Sequence, residues 1–292
     1  MRKLNSELPE VLYRSENFIL VNKGFDIKIN SDQTEEVTVA TQLSRMFPEL
    51  ADSSLTYNFR FGHRLDYATS GILCLALNKK AAGHLHKAFV RHRVKKLYLA
   101  LVRGHVDWDR LMITTPIGRN SHVTDIHKMC VDKTPGCTNL KFAKTLAVRL
   151  EHGTYSNEPA SKVALVPFTG RTHQLRVHCA DSGHTVVGDY TYSDRKDTEP
   201  YRMMLHSCKF SVKLLSENIH VVTQDPFTPQ QDDLWVPKKY FLSCDDFEKM
   251  FKPEDSDKID DCSQISNSVT SSPSKAEVDS GRDDKQHLDG VS

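Results

Sequence analysis

The run Ile72 to Leu77 is apolar at every position, and it constrains the fold more than any other stretch. A strand with one wet face alternates polar and apolar residues. An unbroken apolar run of this length belongs to a strand covered on both faces, so the fold must have layers on either side. Asn78 can then cap a helix from Lys79 to about His92, with Ala82, Leu85, Phe89 and Val90 on one face and Lys80, His84, Lys87 and Arg91 on the other. Lys95 to Val102 reads as a second strand, with Leu97, Leu99 and Leu101 pointing one way and Tyr98, Ala100 and Val102 the other. Val11 to Val21, broken at Ser15-Glu16-Asn17, reads as a hairpin, and Val39 to Phe47 as a helix ended by Pro48. Val163 to Phe168 is a further strand, followed by a helix from about Thr172 to Asp181 that Gly183 stops. Trp108 to Ser156, with Pro116, Gly118, Pro135 and Gly136, is expected to be irregular. Strands alternating with helices predict one mixed α/β domain over about residues 8–250.

Beyond that domain the chain changes character. Residues 253–292 hold ten Asp and Glu against four Lys and Arg, a balance of −6, and are rich in Ser. Such a segment buries too little to offset its ordering entropy and is expected to be a disordered acidic tail. Because the whole chain sums to +1, residues 1–252 carry +7, which suits a polyanionic partner. Seven cysteines without a CxxC pair argue against a disulfide framework and for reduced thiols. No apolar run approaches the roughly 18 residues of a membrane span. Glu7, Glu10 and Glu16 near the start lead us to expect neither a secretory leader nor a transit peptide, and hence a cytoplasmic or nuclear protein.

The candidate chemistry concentrates in two strings. HRLDYATSG, residues 63–71, sets Asp66 two residues after Arg64 and just before a Thr-Ser-Gly turn; TGRTHQLRVH, residues 169–178, contributes Arg171 and Arg176. Taken alone, an Asp followed three residues later by Thr commonly ties a turn, and Arg64 would form an exposed pair of little energetic weight. His173, His178, Cys179, His184 and His206 suggest a metal site, but His173 and His178 are five apart on a predicted helix, too far round for one bite, and we assign no metal. Cys179 beside His178 reads as a core thiol, since adjacent helix residues face different ways. There is no GxGxxG and no Walker loop, so nothing in the chain asks for a nucleotide cofactor.

Three segments in order, HRLDYATSG, KKLYLALVRGH (95–105) and GRTHQLRVH continuing into GHTVVGDYTY (183–192), resemble the motifs of the RluA-type pseudouridine synthases. The resemblance covers most of residues 8–250. It implies a catalytic domain with a central mixed or antiparallel sheet flanked by helices, and an isomerase converting uridine in structured RNA (ribosomal, transfer or messenger) to pseudouridine without a cofactor. It makes Asp66 the catalytic carboxylate, sets Arg176 against it, gives Tyr98 the pocket position that stacks on or takes a proton from the detached base, and gives Arg64 the task of expelling the target nucleotide. Base extrusion costs a few kcal/mol, and a guanidinium can both stack and pair with phosphate. Arg171, Lys80, Lys87, Arg91, Arg93, Lys95 and Lys96 form the candidate RNA surface, the alternative for each lysine being an ordinary solvated helix face. A monomer is expected. The rival reading is a catalytically silent RNA-binding protein on the same scaffold. Two departures stand out: Asn22 to Asp26 lacks the proline of the family's Lys-Pro-x-Gly turn, and Asn120 to Lys144 matches poorly, so RNA identity does not transfer through it.

Overall fold

The structure is a computed structural model that describes residues 8–33, 35–120 and 128–243; the expected tail lies outside them. It opens with the anticipated hairpin, β1 (Glu10–Arg14) and β2 (Phe18–Lys23), whose turn is closed by the Ser15 hydroxyl accepting from the amides of Asn17 and Phe18. Helix α1 (Val39–Met46) starts at a Thr38 capping box, and a short 3-10 turn begins at Pro48. The remaining elements are β3 (Arg60–Phe61), β4 (Ser70–Ala76), α2 (Lys79–Val90), β5 (Lys95–Arg103), β6 (Arg110–Ile113), β7 (Ile117–Asn120), β8 (Met129–Val131), β9 (Cys137–Lys141), β10 (Thr145–Tyr155), β11 (Glu158–Pro167), α3 (Gln174–Asp181), β12 (Leu205–Lys213), β13 (Asn218–Val222) and β14 (Trp235–Tyr240).

Eleven of these strands form one mixed sheet whose main path runs β1-β2-β4-β12-β5-β11-β10-β14. Its pairs are antiparallel except β4 with β12, where His206 sits opposite Ser70 and Ser207 opposite Gly71. Gly71 has φ +110, and a Cβ there would strike the Ser207 backbone, so this crossing needs glycine. The apolar run of β4 is explained by burial on both faces. Leu73 and Leu75 join one core with Ile19, Val21 and α1, while Ile72 and Cys74 join a second with Phe18, Leu20 and Leu85 of α2. The expected alternation of β5 is present: Leu97, Leu99 and Leu101 face a core around Trp235, and Tyr98, Ala100 and Val102 face the opposite one.

Three expectations are corrected. Helix α2 buries Ala81, Leu85 and Ala88, and Val90 is 63% exposed, because the stripe turns one residue earlier than the pattern of larger side chains suggests. Residues 108–156 are largely strand: β6 and β10 extend the main sheet, and β8-β7-β9 form a small one. Gly118 lies inside β7 because a Cβ there would strike the Thr138 carbonyl, so that glycine marks a close approach and not a loop. Finally, Cys130 and Cys137 are joined in a disulfide with Cα atoms 5.9 Å apart, crossing the small sheet where Gly118 leaves room, while Cys74, Cys179 and Cys208 are free and buried.

Candidate active site

Asp66 lies on the loop between β3 and β4, a turn closed by the Thr69 amide donating to the Asp66 carbonyl at 3.1 Å. Leu65 anchors the loop in the core, and the Asp66 side chain retains 28% exposure. Behind it, His63 stacks on Phe210 with ring centroids 5.6 Å apart and meets Phe89 at a tilt at 5.5 Å, the three rings forming one cluster, and its Nε2 accepts from the Cys74 amide at 3.1 Å. Burial, reinforced by the nearby Lys96 charge, lowers its pKa to about 3, so the ring is neutral with its proton on Nδ1. From below, the buried ammonium of Lys23 donates to the carbonyls of Gly24 (2.8 Å), Ile27 (2.8 Å) and Tyr67 (3.0 Å), while burial and the Arg202 charge bring its pKa down to about 7. The loop that departs from the Lys-Pro-x-Gly pattern thus still delivers its lysine to the backbone beside Asp66.

Helix α3 presents the second string. Its start is pinned by Gln174, whose Oε1 accepts from the Thr169 hydroxyl (2.7 Å) and the Arg171 amide (3.0 Å), and whose amide nitrogen donates to the Lys144 carbonyl (3.0 Å). Arg176, 7% exposed, reaches Asp66 at 3.7 Å, but its fork closes on Asp189 at 2.7 and 2.8 Å. Burial works against its charge, yet the hydrogen bonds and charge of Asp189 prevail and raise its pKa. Asp189 is itself buried and accepts from the amides of Thr191 and Tyr192. It was legible as part of GDYTY but carried no assigned role; its signal is a buried acid following Gly188, whose φ of +76 and close approach to the Arg202 backbone exclude a side chain.

Asp66, Tyr98, Arg64, Lys96 and Arg171 line one cleft of about 580 Å³, with Leu205 as an apolar wall. That volume suits a small ligand such as a nucleoside. Burial pushes the Tyr98 phenol well above its ordinary pKa, which favours stacking over proton abstraction. Lys96 projects on the same strand face as Tyr98, its ammonium 5.5 Å from the Phe89 ring centre, and no carboxylate among the described residues pairs with it. Burial lowers its pKa to about 8. Lys80, Lys87 and Arg91 are not brought there: all three are exposed on α2, and Lys87 and Arg91 border a separate small hollow with Arg93. The histidines hold other posts. His178 spans the Thr145 hydroxyl (2.9 Å) and the Thr115 carbonyl (3.0 Å), His184 bonds the Arg103 carbonyl (2.8 Å), and His206 lies between Ser70 and Thr223, each at 2.7 Å.

Two histidines with strongly lowered pKa values make stability pH-dependent. Burial brings His206 as well as His63 to about pKa 3, against about 6.5 in an unfolded chain. Below pH 6.5 the unfolded state takes up protons that the folded state refuses. Stability therefore falls with pH, by up to about 1.4 kcal/mol per pH unit for each ring until pH approaches 3. Thermal melts at pH 7.5 and 5.0 should show a lower Tm at pH 5.0; an unchanged Tm would refute the neutral, buried assignment.

A carboxylate under a fixed guanidinium, a buried tyrosine and several cations meet at one nucleoside-sized cleft, and comparison with known proteins gives the family. Residues 17–181 match the family model described as RNA pseudouridylate synthase. The chain belongs to that family, isomerases that convert uridine in RNA to pseudouridine. It is 50% identical over 238 residues to the RNA pseudouridylate synthase domain-containing protein 1 of Danio rerio, covering 81% of each chain. It is 30% identical over 201 residues to the dual-specificity RNA pseudouridine synthase RluA of Escherichia coli K12, covering 68% of this chain and 83% of that one. The solved structure of human RNA Pseudouridylate Synthase Domain Containing 1 aligns with a TM-score of 0.76 at 43% identity, over 85% of this chain and 96% of the other.

Proposed function

We propose that the cleft isomerises uridine in structured RNA with Asp66 acting at the sugar carbon. The observation that carries this is the convergence of Asp66, Tyr98 and Lys96 on one cleft, with Arg176 set against the carboxylate at 3.7 Å. In the reaction the N1–C1′ bond breaks, the base turns, and a C5–C1′ bond forms. N1 gains a proton and C5 loses one, so no electrons are exchanged. Asp66 offers the negative charge that a cationic C1′ requires. Arg176, locked by Asp189, orients that carboxylate. Tyr98 stacks on the detached base, and Arg64, exposed at the rim, fills the vacancy left by the flipped nucleotide. Lys96 and Arg171 hold phosphate or base oxygens, and Lys80, Lys87 and Arg91 extend the RNA track along α2.

The enzyme works as a monomer in the cytoplasm or nucleus. Three buried free thiols favour a reducing compartment, and the Cys130–Cys137 bond points the other way; imaging of the tagged chain in cells decides. The function is tested by incubating the protein with RNA transcribed without modifications and mapping pseudouridine by chemical derivatisation. New sites with wild type support it, and none in ribosomal, transfer or messenger pools would overturn it. For Lys96, the Lys96→Met variant should bind RNA about tenfold more weakly and lower the salt slope of log Kd by about one. Anisotropy titrations across salt concentrations check this, and an unchanged slope would show that Lys96 does not meet an anionic group.

A further inference from the structure

A second cavity, of about 780 Å³, adjoins the catalytic cleft and shares Arg64, Leu65, Tyr67 and His173 with it as a common wall. Its other lining includes Tyr190 and Arg202. We propose that this cavity is a subsite for a nucleotide flanking the flipped uridine, its base stacked on Tyr67 or Tyr190 and its phosphate held by Arg64 and Arg202.

The two tyrosines are placed alike. Each directly follows an acid that faces Arg176: Asp66 precedes Tyr67, and Asp189 precedes Tyr190. Asp189 is held by Arg176, while the Tyr190 ring is exposed, with the Arg195 guanidinium carbon 5.9 Å from its centre. The rings are 55% and 53% exposed. Single exposed aromatics are ordinary, but two on one cavity beside guanidinium groups that no carboxylate among the described residues bridges match the pattern of single-strand nucleic-acid sites.

The charge in the cavity supports an anionic ligand. Its acids Asp189 and Asp197 are consumed by Arg176 and Arg103. Arg202 is 7% exposed, and its Nε and Nη2 donate to the Met203 carbonyl (3.0 Å), the Ser70 hydroxyl (2.6 Å) and the Leu205 carbonyl (3.3 Å). No carboxylate among the described residues pairs with it, and its Nη1 has no partner there. The Phe25 ring, 4.5 Å from its guanidinium carbon, holds the group in place. Asp26 also borders the cavity and balances part of this charge. Arg64 has Asn30 as its neutral partner, at 3.4 Å. The Arg64–Tyr67 wall is common to both spaces, so a nucleotide adjoining a base held in the cleft is within reach of this cavity.

The inference rests on the catalytic cleft taking a uridine in RNA, and the test separates the two. Binding of a fluorescein-labelled oligouridylate of about ten nucleotides is measured by anisotropy. The variants are wild type, Tyr67→Ala with Tyr190→Ala, the same pair changed to Phe, and Asp66→Asn, each verified by thermal melting. The double Ala variant should bind about tenfold more weakly, the double Phe variant and Asp66→Asn like wild type. With 4-thiouridine in the oligonucleotide, ultraviolet cross-links should map to Tyr67 and Tyr190. If the double Ala variant binds as tightly as wild type while wild type isomerises uridine, the subsite is wrong and the enzyme reading stands. If the Ala variant loses binding but wild type converts no uridine, the subsite stands and the enzyme reading fails.

Discussion

Replacing Asp66 by Asn should lower the single-turnover rate at saturating RNA on the order of 10³-fold or more, with RNA affinity and Tm nearly unchanged. The amide keeps the size and the turn geometry, since the turn hydrogen bond uses the Asp66 carbonyl and not its side chain. What it removes is the negative charge that faces Arg176. Because 28% of the Asp66 side chain is exposed, its neutralisation leaves no deeply buried unpaired charge at this position. Chemistry and stability should therefore separate. A variant that loses affinity and rate together would show that Asp66 holds the RNA and does not act on it.

The largest stability loss is expected at Asp189. Changing it to Ala strands the buried guanidinium of Arg176, which then retains only the 3.7 Å approach to Asp66 as a charged partner among the described residues. Breaking one half of a buried ion pair costs about 3–5 kcal/mol. Two backbone amides, of Thr191 and Tyr192, also lose their acceptor. Denaturant unfolding should show that loss, and any folded enzyme should turn over slowly because Arg176 is free to swing onto Asp66. The double change Asp189→Ala with Arg176→Met should recover part of the stability without recovering activity. An Asp189→Ala protein as stable as wild type would mean that the carboxylate does not carry the arginine.

The parts of this molecule that were legible in the sequence are those written in local pattern. The apolar run of β4, the alternation along β5 and the Asn78 cap each depend on neighbours a few residues away, and each is present as expected. Asp66, Arg64, Tyr98 and Arg176 came from motif resemblance, and the fold brings Asp66 within reach of Arg176 across more than a hundred residues of chain. Tertiary pairings were not legible. The aromatic cluster at His63 draws Phe89 from a helix and Phe210 from a late strand. The partner of Arg176 follows a glycine whose need arises only against the Arg202 backbone. Residues 108–156 read as irregular because Pro116, Gly118, Pro135 and Gly136 looked like breakers, when at Gly118 the approach of β9 is what excludes a side chain. The lysines of α2 were grouped with the site by charge alone, and helix geometry turns Lys80, Lys87 and Arg91 away from the cleft.

The most direct test is tritium release. Purified wild-type protein is incubated with unmodified RNA carrying tritium at carbon 5 of uracil, alongside Asp66→Asn. Forming the C5–C1′ bond expels the C5 hydrogen, so label should appear in water with wild type and stay in the RNA with the variant. Equal release from both proteins would remove Asp66 from the centre of the reaction, and no release from any RNA pool would contradict the isomerase.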